Sequence, residues 1–464
     1  MTSPAAGPPP GCPAHTERAR LYDEEFARDP AGVYARMRAA HGQIAPVELA
    51  PGVNASLVLG YEAALEVLRA PSTFPRDPRR WQQNQPEDSP VLPMMGYRPN
   101  CLFTDGAVHA RLRSAVTGSL SRLNPHALRD HIERTARALI TRFSADGKAD
   151  LLNDYATTLS LQVFNHLFGC PPALGDRLVA GMRGIFDMVD PERANAELTA
   201  SMLELLALKR AQPGQDVPSW MMAHPARLTD EELLHQLVLL MGAGTEPQQN
   251  LIANGIRLLL IDDRFAGDLA GGSLHVEDAL EEILWGDPPM ANYSAGYPWP
   301  AVDLLGTHLP AAEPVVISFA AANTDPALRA EQRVGNRAHI AWGAGVHSCP
   351  AQGPARLIAT TAIETLLDAL PDLRLAVPDD QLRWRPGPFH RALAALPVQF
   401  TPVRNTVPAP VPSTEPTGEH RWNPHPAPSS STPPAATSTP RTPSSAPAAP
   451  RRWWNSLARW WRGQ

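Results

Sequence analysis

A chain of 464 residues exceeds what one small core needs, and an apolar fraction of 43% can fill a large one. Its formal charge of −6, from 41 basic and 47 acidic residues, excludes a generally nucleic-acid-binding protein. The 51 prolines are about twice ordinary usage, so part of the chain must lie outside packed structure.

In chain order, residues 1–14 hold five prolines and predict a disordered lead without the basic and apolar regions of a signal peptide. Residues 15–404 predict one domain of catalytic size. Within it, β-rich stretches fall at 56–59, 315–319 and 396–400. Apolar spacing predicts a helix over 231–260, on both sides of a Gly-Ala-Gly-Thr-Glu-Pro break, and another over 353–370, ended by Pro371. Many helices with a few strands near the two ends predict an α-rich α+β fold. Residues 405–450 carry thirteen prolines among Ser, Thr and Ala and predict a disordered or PPII-like linker. Residues 451–464 predict an amphipathic tip. At 100° per residue, Trp453, Trp454, Leu457, Trp460 and Trp461 share an arc of about 120°, with Arg451, Arg452, Arg459 and Arg462 opposite. Such a tip suits a membrane surface, a protein partner, or its own domain. No run of eighteen apolar residues predicts a spanning helix. The cysteines Cys12, Cys101, Cys170 and Cys349 form no CxxC pair, which predicts reduced thiols and a cytoplasmic chain.

The stretch from Trp342 to Ala351, WGAGVHSCPA, delivers one cysteine on a glycine-rich loop to the start of the second helix. A helix N-terminus favours thiolate, and thiolate suits haem iron as an axial ligand. The loop resembles the haem-binding signature of cytochrome P-450, FGxGxHxCxG. Gly343, Gly345, His347 and Cys349 match it, with Trp342 for Phe and Ala351 for the last Gly. The resemblance covers residues 20–402. Asp105–Arg113 resembles the segment whose His and Arg bind haem propionates, here His109 and Arg113. Ala322–Pro326 resembles the ANxDP turn, and Leu396-Pro397-Val398 the C-terminal hairpin. The resemblance implies the cytochrome P-450 fold, haem b with Cys349 on the iron, and insertion of one oxygen atom of dioxygen into a small apolar substrate. The chain has no flavin or dinucleotide module, so electrons from NAD(P)H are expected through a ferredoxin and its reductase.

Four departures from the family pattern bear on chemistry. In Glu281-Glu282-Ile283-Leu284-Trp285, Trp285 stands where the Glu-x-x-Arg motif has Arg. A branch of actinobacterial cytochromes P-450 shares this Glu-x-x-Trp pattern. Glu282 is then expected either to pair with Arg329, Arg333 or Arg337, or to turn toward water. In the helix motif AGx[DE]T, Ala243, Gly244 and Glu246 match, but Pro247 replaces the alcohol. Gly244, Thr245 and Glu246 are the candidate catalytic residues, with Glu246 the remaining proton donor and a kink expected at Pro247. Thr245, Gln248, water or a substrate hydroxyl could stand in for the alcohol. Pro350 removes one N–H donor to the cysteine sulfur. The stretch Gly296-Tyr297-Pro298-Trp299 lacks the arginine that the family often supplies to a propionate. These departures leave two alternatives to a monooxygenase: a haem component of a membrane-attached signalling or redox assembly, and a peroxide-driven variant.

Overall fold

The computed structural model describes residues 18–186, 191–266, 275–328 and 335–403. The expected lead, linker and tip lie outside the described residues.

The long helix Asp230–Ile261 runs through the larger hydrophobic core. Its start is set by a capping box, in which Thr229 and Glu232 satisfy each other's backbone N–H groups. Asp230, Glu231 and Glu232 add negative charge at the positive helix end. Downstream, Leu233, Leu237, Met241, Ile252, Ile256 and Leu259 are buried. The expected break is absent: the helix continues through Pro247 without interruption. Proline denies the Ala243 carbonyl its usual donor, but packing holds the two halves together. The helix is bedded on the π-helical turn Leu151–Thr157 and on the helices Thr158–Leu167, Val276–Gly286 and Gln352–Ala369.

The predicted strands all fall on observed ones. Val53–Val58 pairs antiparallel with Ile44–Ala50 and parallel with Val315–Ser318, which pairs in turn with Asn292–Gly296. With Ala19–Arg20 at the other edge these make a five-stranded sheet. Pro397–Gln399, in the C-terminal hairpin sequence, joins Lys148–Asp150 and Arg374–Leu375 in a three-stranded sheet. Helices outweigh strands, and the α-rich α+β expectation holds. Among the described residues no helix is long and apolar enough to cross a membrane.

One turn positions the site within this frame. Asn323, buried at the end of the short helix Phe319–Asn323, donates from Nδ2 to the Leu284 carbonyl at 2.9 Å. Its Oδ1 accepts the Ile340 N–H at 2.8 Å. One side chain thereby ties the helix Val276–Gly286 to the entrance of the cysteine loop.

Candidate haem-thiolate site

The loop's shape follows from its glycines. Gly343 and Gly345 sit at φ +72° and +69°, a region that favours glycine. A Cβ on Gly345 would also lie 2.5 Å from the Leu68 carbonyl oxygen, so space as well as backbone demands glycine. The loop is closed by the Cys349 N–H donating to the Trp342 carbonyl at 2.7 Å. Cys349 Sγ accepts the Ala351 N–H at 3.4 Å, and Pro350 has no hydrogen to donate. The expectation of a lowered thiol pKa at a helix start is not met. Burial pushes the Cys349 thiol up, and the Ala351 N–H and the charge of Arg113 only partly oppose it. Metal binding itself deprotonates a cysteine ligand, so this does not argue against ligation.

Facing the loop, the helix Gly106–Leu120 presents His109 and Arg113, as their spacing predicts. His109 is buried and packs against His347 with ring centroids 4.0 Å apart and the rings tilted by 42°. His347 Nε2 meets Asp105 Oδ1 at 3.3 Å. Arg113 donates to the Ser348 carbonyl, beside the cysteine. Burial, then the fields of His347 and Arg113, push the His109 pKa down to about 4. His109 is therefore a neutral hydrogen-bond donor rather than a cation. Its Nε2 and the indole Nε1 of Trp342 are buried without a hydrogen-bond partner among the described residues. Buried donors left unpaired are costly. A haem, with an apolar macrocycle and two carboxylates, supplies the surfaces and acceptors that these residues call for.

Behind the loop, the Glu-x-x-Trp region differs by one residue from the sequence expectation. The buried carboxylate is Glu281, not Glu282. Arg356 Nη2 lies 2.9 Å from Glu281 Oε1, His339 Nε2 lies 3.0 Å from its Oε2, and Arg337 Nε is 3.8 Å away. Glu282 is part-exposed, with Arg264 at 3.9 Å. Of the expected partners, Arg337 reaches Glu281, while Arg329 and Arg333 lie outside the described residues. Trp285 is fully buried and donates its indole N–H to the Asn336 carbonyl at 2.7 Å. Sequence reasoning missed Arg356 and His339, although both flank the recognised loop.

The long helix corrects two catalytic candidates. The Phe164 ring lies against Gly244, where a Cβ would fall 2.0 Å from its tip, so Gly244 lets the two helices pack closely. Thr245 is buried and donates its hydroxyl to the Met241 carbonyl at 2.8 Å, which commits its only proton to the backbone. Glu246 accepts from Arg385, from Gln249 Nε2 at 2.8 Å and from Asn250 Nδ2 at 3.3 Å. Gln248 is buried, and its Nε2 has no hydrogen-bond partner among the described residues. The chain thus has a fixed carboxylate here and an amide with spare capacity.

A lone cysteine on a glycine-shaped loop, whose helix packs on a long buried helix and whose neighbours are unpaired donors, defines a haem-thiolate site. No family model matches the chain. It is 33% identical over 391 residues to the cytochrome P450 monooxygenase PikC of Streptomyces venezuelae, covering 81% of this chain and 92% of that protein. It is 29% identical to a vitamin D(3) 25-hydroxylase of Pseudonocardia autotrophica, covering 83% and 98%. Among solved structures, CYP154C4 from Streptomyces sp. ATCC 11861 superposes with a TM-score of 0.75 at 30% identity, covering 82% and 98%. The chain belongs to the cytochrome P-450 family. It is a haem b monooxygenase that draws electrons from NAD(P)H through redox partners. These relatives favour that activity over a non-catalytic haem component.

Proposed function

We propose that this chain oxidises a compact, mainly apolar substrate, with Cys349 as axial ligand and electrons delivered by a ferredoxin and its reductase. The observation that carries the reading is the closed Trp342–Cys349 loop with its sulfur hydrogen-bonded by Ala351. His109, Arg113 and His347 would hold the propionates, and Trp342, Gly343 and Gly345 shape the loop around the macrocycle. When bound, haem supplies the electron-accepting centre at which dioxygen is activated.

Protons are the chain's own task. Three donors, from Arg385, Gln249 and Asn250, fix the position of the Glu246 carboxylate. Passing a proton inward then requires the Arg385 contact to open. Pro247 offers no hydroxyl and Thr245 is committed, so the second carrier is a water or a hydroxyl of the substrate. Gln248 Nε2 is the free amide that could hold either. The reading is tested by the ferrous–CO spectrum, which should show the thiolate-type red shift and lose it in Cys349→Ser. A native protein without that shift would sink it.

The tip at 451–464 supports a second, narrower proposal: attachment to an anionic membrane surface through tryptophans backed by arginines. The full chain should sediment with anionic vesicles, whereas a chain ending at residue 404 should not. Equal behaviour of the two would remove the proposal.

A further inference from the structure

We propose that Arg76 holds a haem propionate, replacing the arginine that this chain lacks at Gly296. The proposal rests on the haem-thiolate reading above. Phe74, Pro75 and Arg76 are fastened along the strand Asn292–Gly296 and the residue after it. The Tyr297 N–H donates to the Pro75 carbonyl at 2.8 Å, and the Arg76 guanidinium donates to the Ser294 carbonyl. A Cβ at Gly296 would lie 2.8 Å from Phe74 Cβ and 3.1 Å from the Phe74 carbonyl oxygen. A side chain at 296 and this seating of residues 74–76 therefore exclude each other. One segment has taken the space of the missing arginine and brings its own.

The other side of Arg76 faces the histidine pair. Its backbone N–H donates to Asp105 Oδ2 at 2.7 Å, while Asp105 Oδ1 meets His347 Nε2 at 3.3 Å. Asp105 thus joins Arg76 to His347, whose ring packs tilted against His109. Arg76 is only 3% exposed, and its guanidinium has one hydrogen-bond acceptor among the described residues, the Ser294 carbonyl. The fields of Arg76 and Arg113 both bear on His109 and His347, with Asp105 the opposing charge. A nearly buried guanidinium with most of its five donors unused needs an anion. Asp105 alone leaves the two guanidiniums with excess positive charge, which an anionic ligand offsets. Arg76 also lines a small cavity with Leu102, Phe103 and Ala295.

The test separates contact with the propionate from support of the loop. Haem transfer to apomyoglobin should be about ten- to a hundredfold faster from Arg76→Gln than from the native chain, the worth of one charge-assisted hydrogen bond. Arg76→Lys should lose less. In proteins reconstituted with the dimethyl ester of haem, whose propionates carry no charge, native and Arg76→Gln should release at equal rates. Native-like transfer of haem b from Arg76→Gln would overturn the proposal, as would a defect that persists with the diester. If Arg76→Gln fails to fold, the same comparison is made with Arg76→Lys, and equal diester and haem defects there overturn it. The ferrous–CO band keeps the two readings apart: it should survive in Arg76→Gln, and its absence from the native chain would sink the haem-thiolate reading instead.

Discussion

Glu281 has 7% of its side-chain surface exposed, and a carboxylate so buried must be compensated. Arg356 and His339 do this from either side of the cysteine loop, since His339 precedes Trp342 and Arg356 lies in the helix after Cys349. The usual Glu-x-x-Arg pair is thereby replaced by a clamp gathered from three elements. Glu281→Gln should cost about 3 kcal/mol, because it leaves Arg356 and His339 without their anion. Glu282→Gln, at the part-exposed neighbour, should cost less, because solvent screens its pairing. Urea midpoints of the two variants decide between them, and a larger loss at Glu282 would show that the clamp is misassigned.

Two elements carry the chemistry, and each has a position where substitution is informative. In the long helix, Pro247→Thr restores both an N–H for the Ala243 carbonyl and a hydroxyl near Glu246. The share of NAD(P)H electrons recovered as product rather than peroxide should rise, by at least about tenfold if the missing alcohol limits proton delivery. Unchanged peroxide release would place the proton route through water or substrate alone. In the ligand loop, Gly345→Ala meets both a left-handed backbone and the Leu68 carbonyl. It should cost more than about 1 kcal/mol and lower haem content on purification, read from the ratio of Soret to protein absorbance. A normally loaded variant would show that the loop can rearrange.

Across the whole molecule, burial pushes His131, His235 and His390 down to about 4. In the unfolded chain these imidazoles take up protons near pH 6.5, while in the folded chain they resist until about 4. The unfolded state therefore binds more protons across that window, and stability falls as pH falls from about 6.5 toward 4. Urea midpoints at pH 7 and pH 5 should differ in that direction. A flat profile would mean that these imidazoles are hydrated in the native state.

What the sequence determined by itself is local. Gly343 and Gly345 are required by backbone torsions, His109 and Arg113 share a face because of i, i+4 spacing, and Cys349 is unique in its loop. The long helix and the strands at 53–58, 315–318 and 397–399 follow from apolar period. The tertiary structure decided everything that depends on partners distant in the chain. Glu281 rather than Glu282 is buried because Arg356 meets it across 75 residues. Asp105 joins the site because His347 lies 242 residues away. Thr245 and Gly244 match a family motif by position, yet a backbone carbonyl and Phe164 absorb them. Arg76 sits in a run of prolines and arginines with nothing local to mark it. Torsions and periodicity are written into neighbouring residues, whereas compensation of buried charge depends on what folding brings within reach.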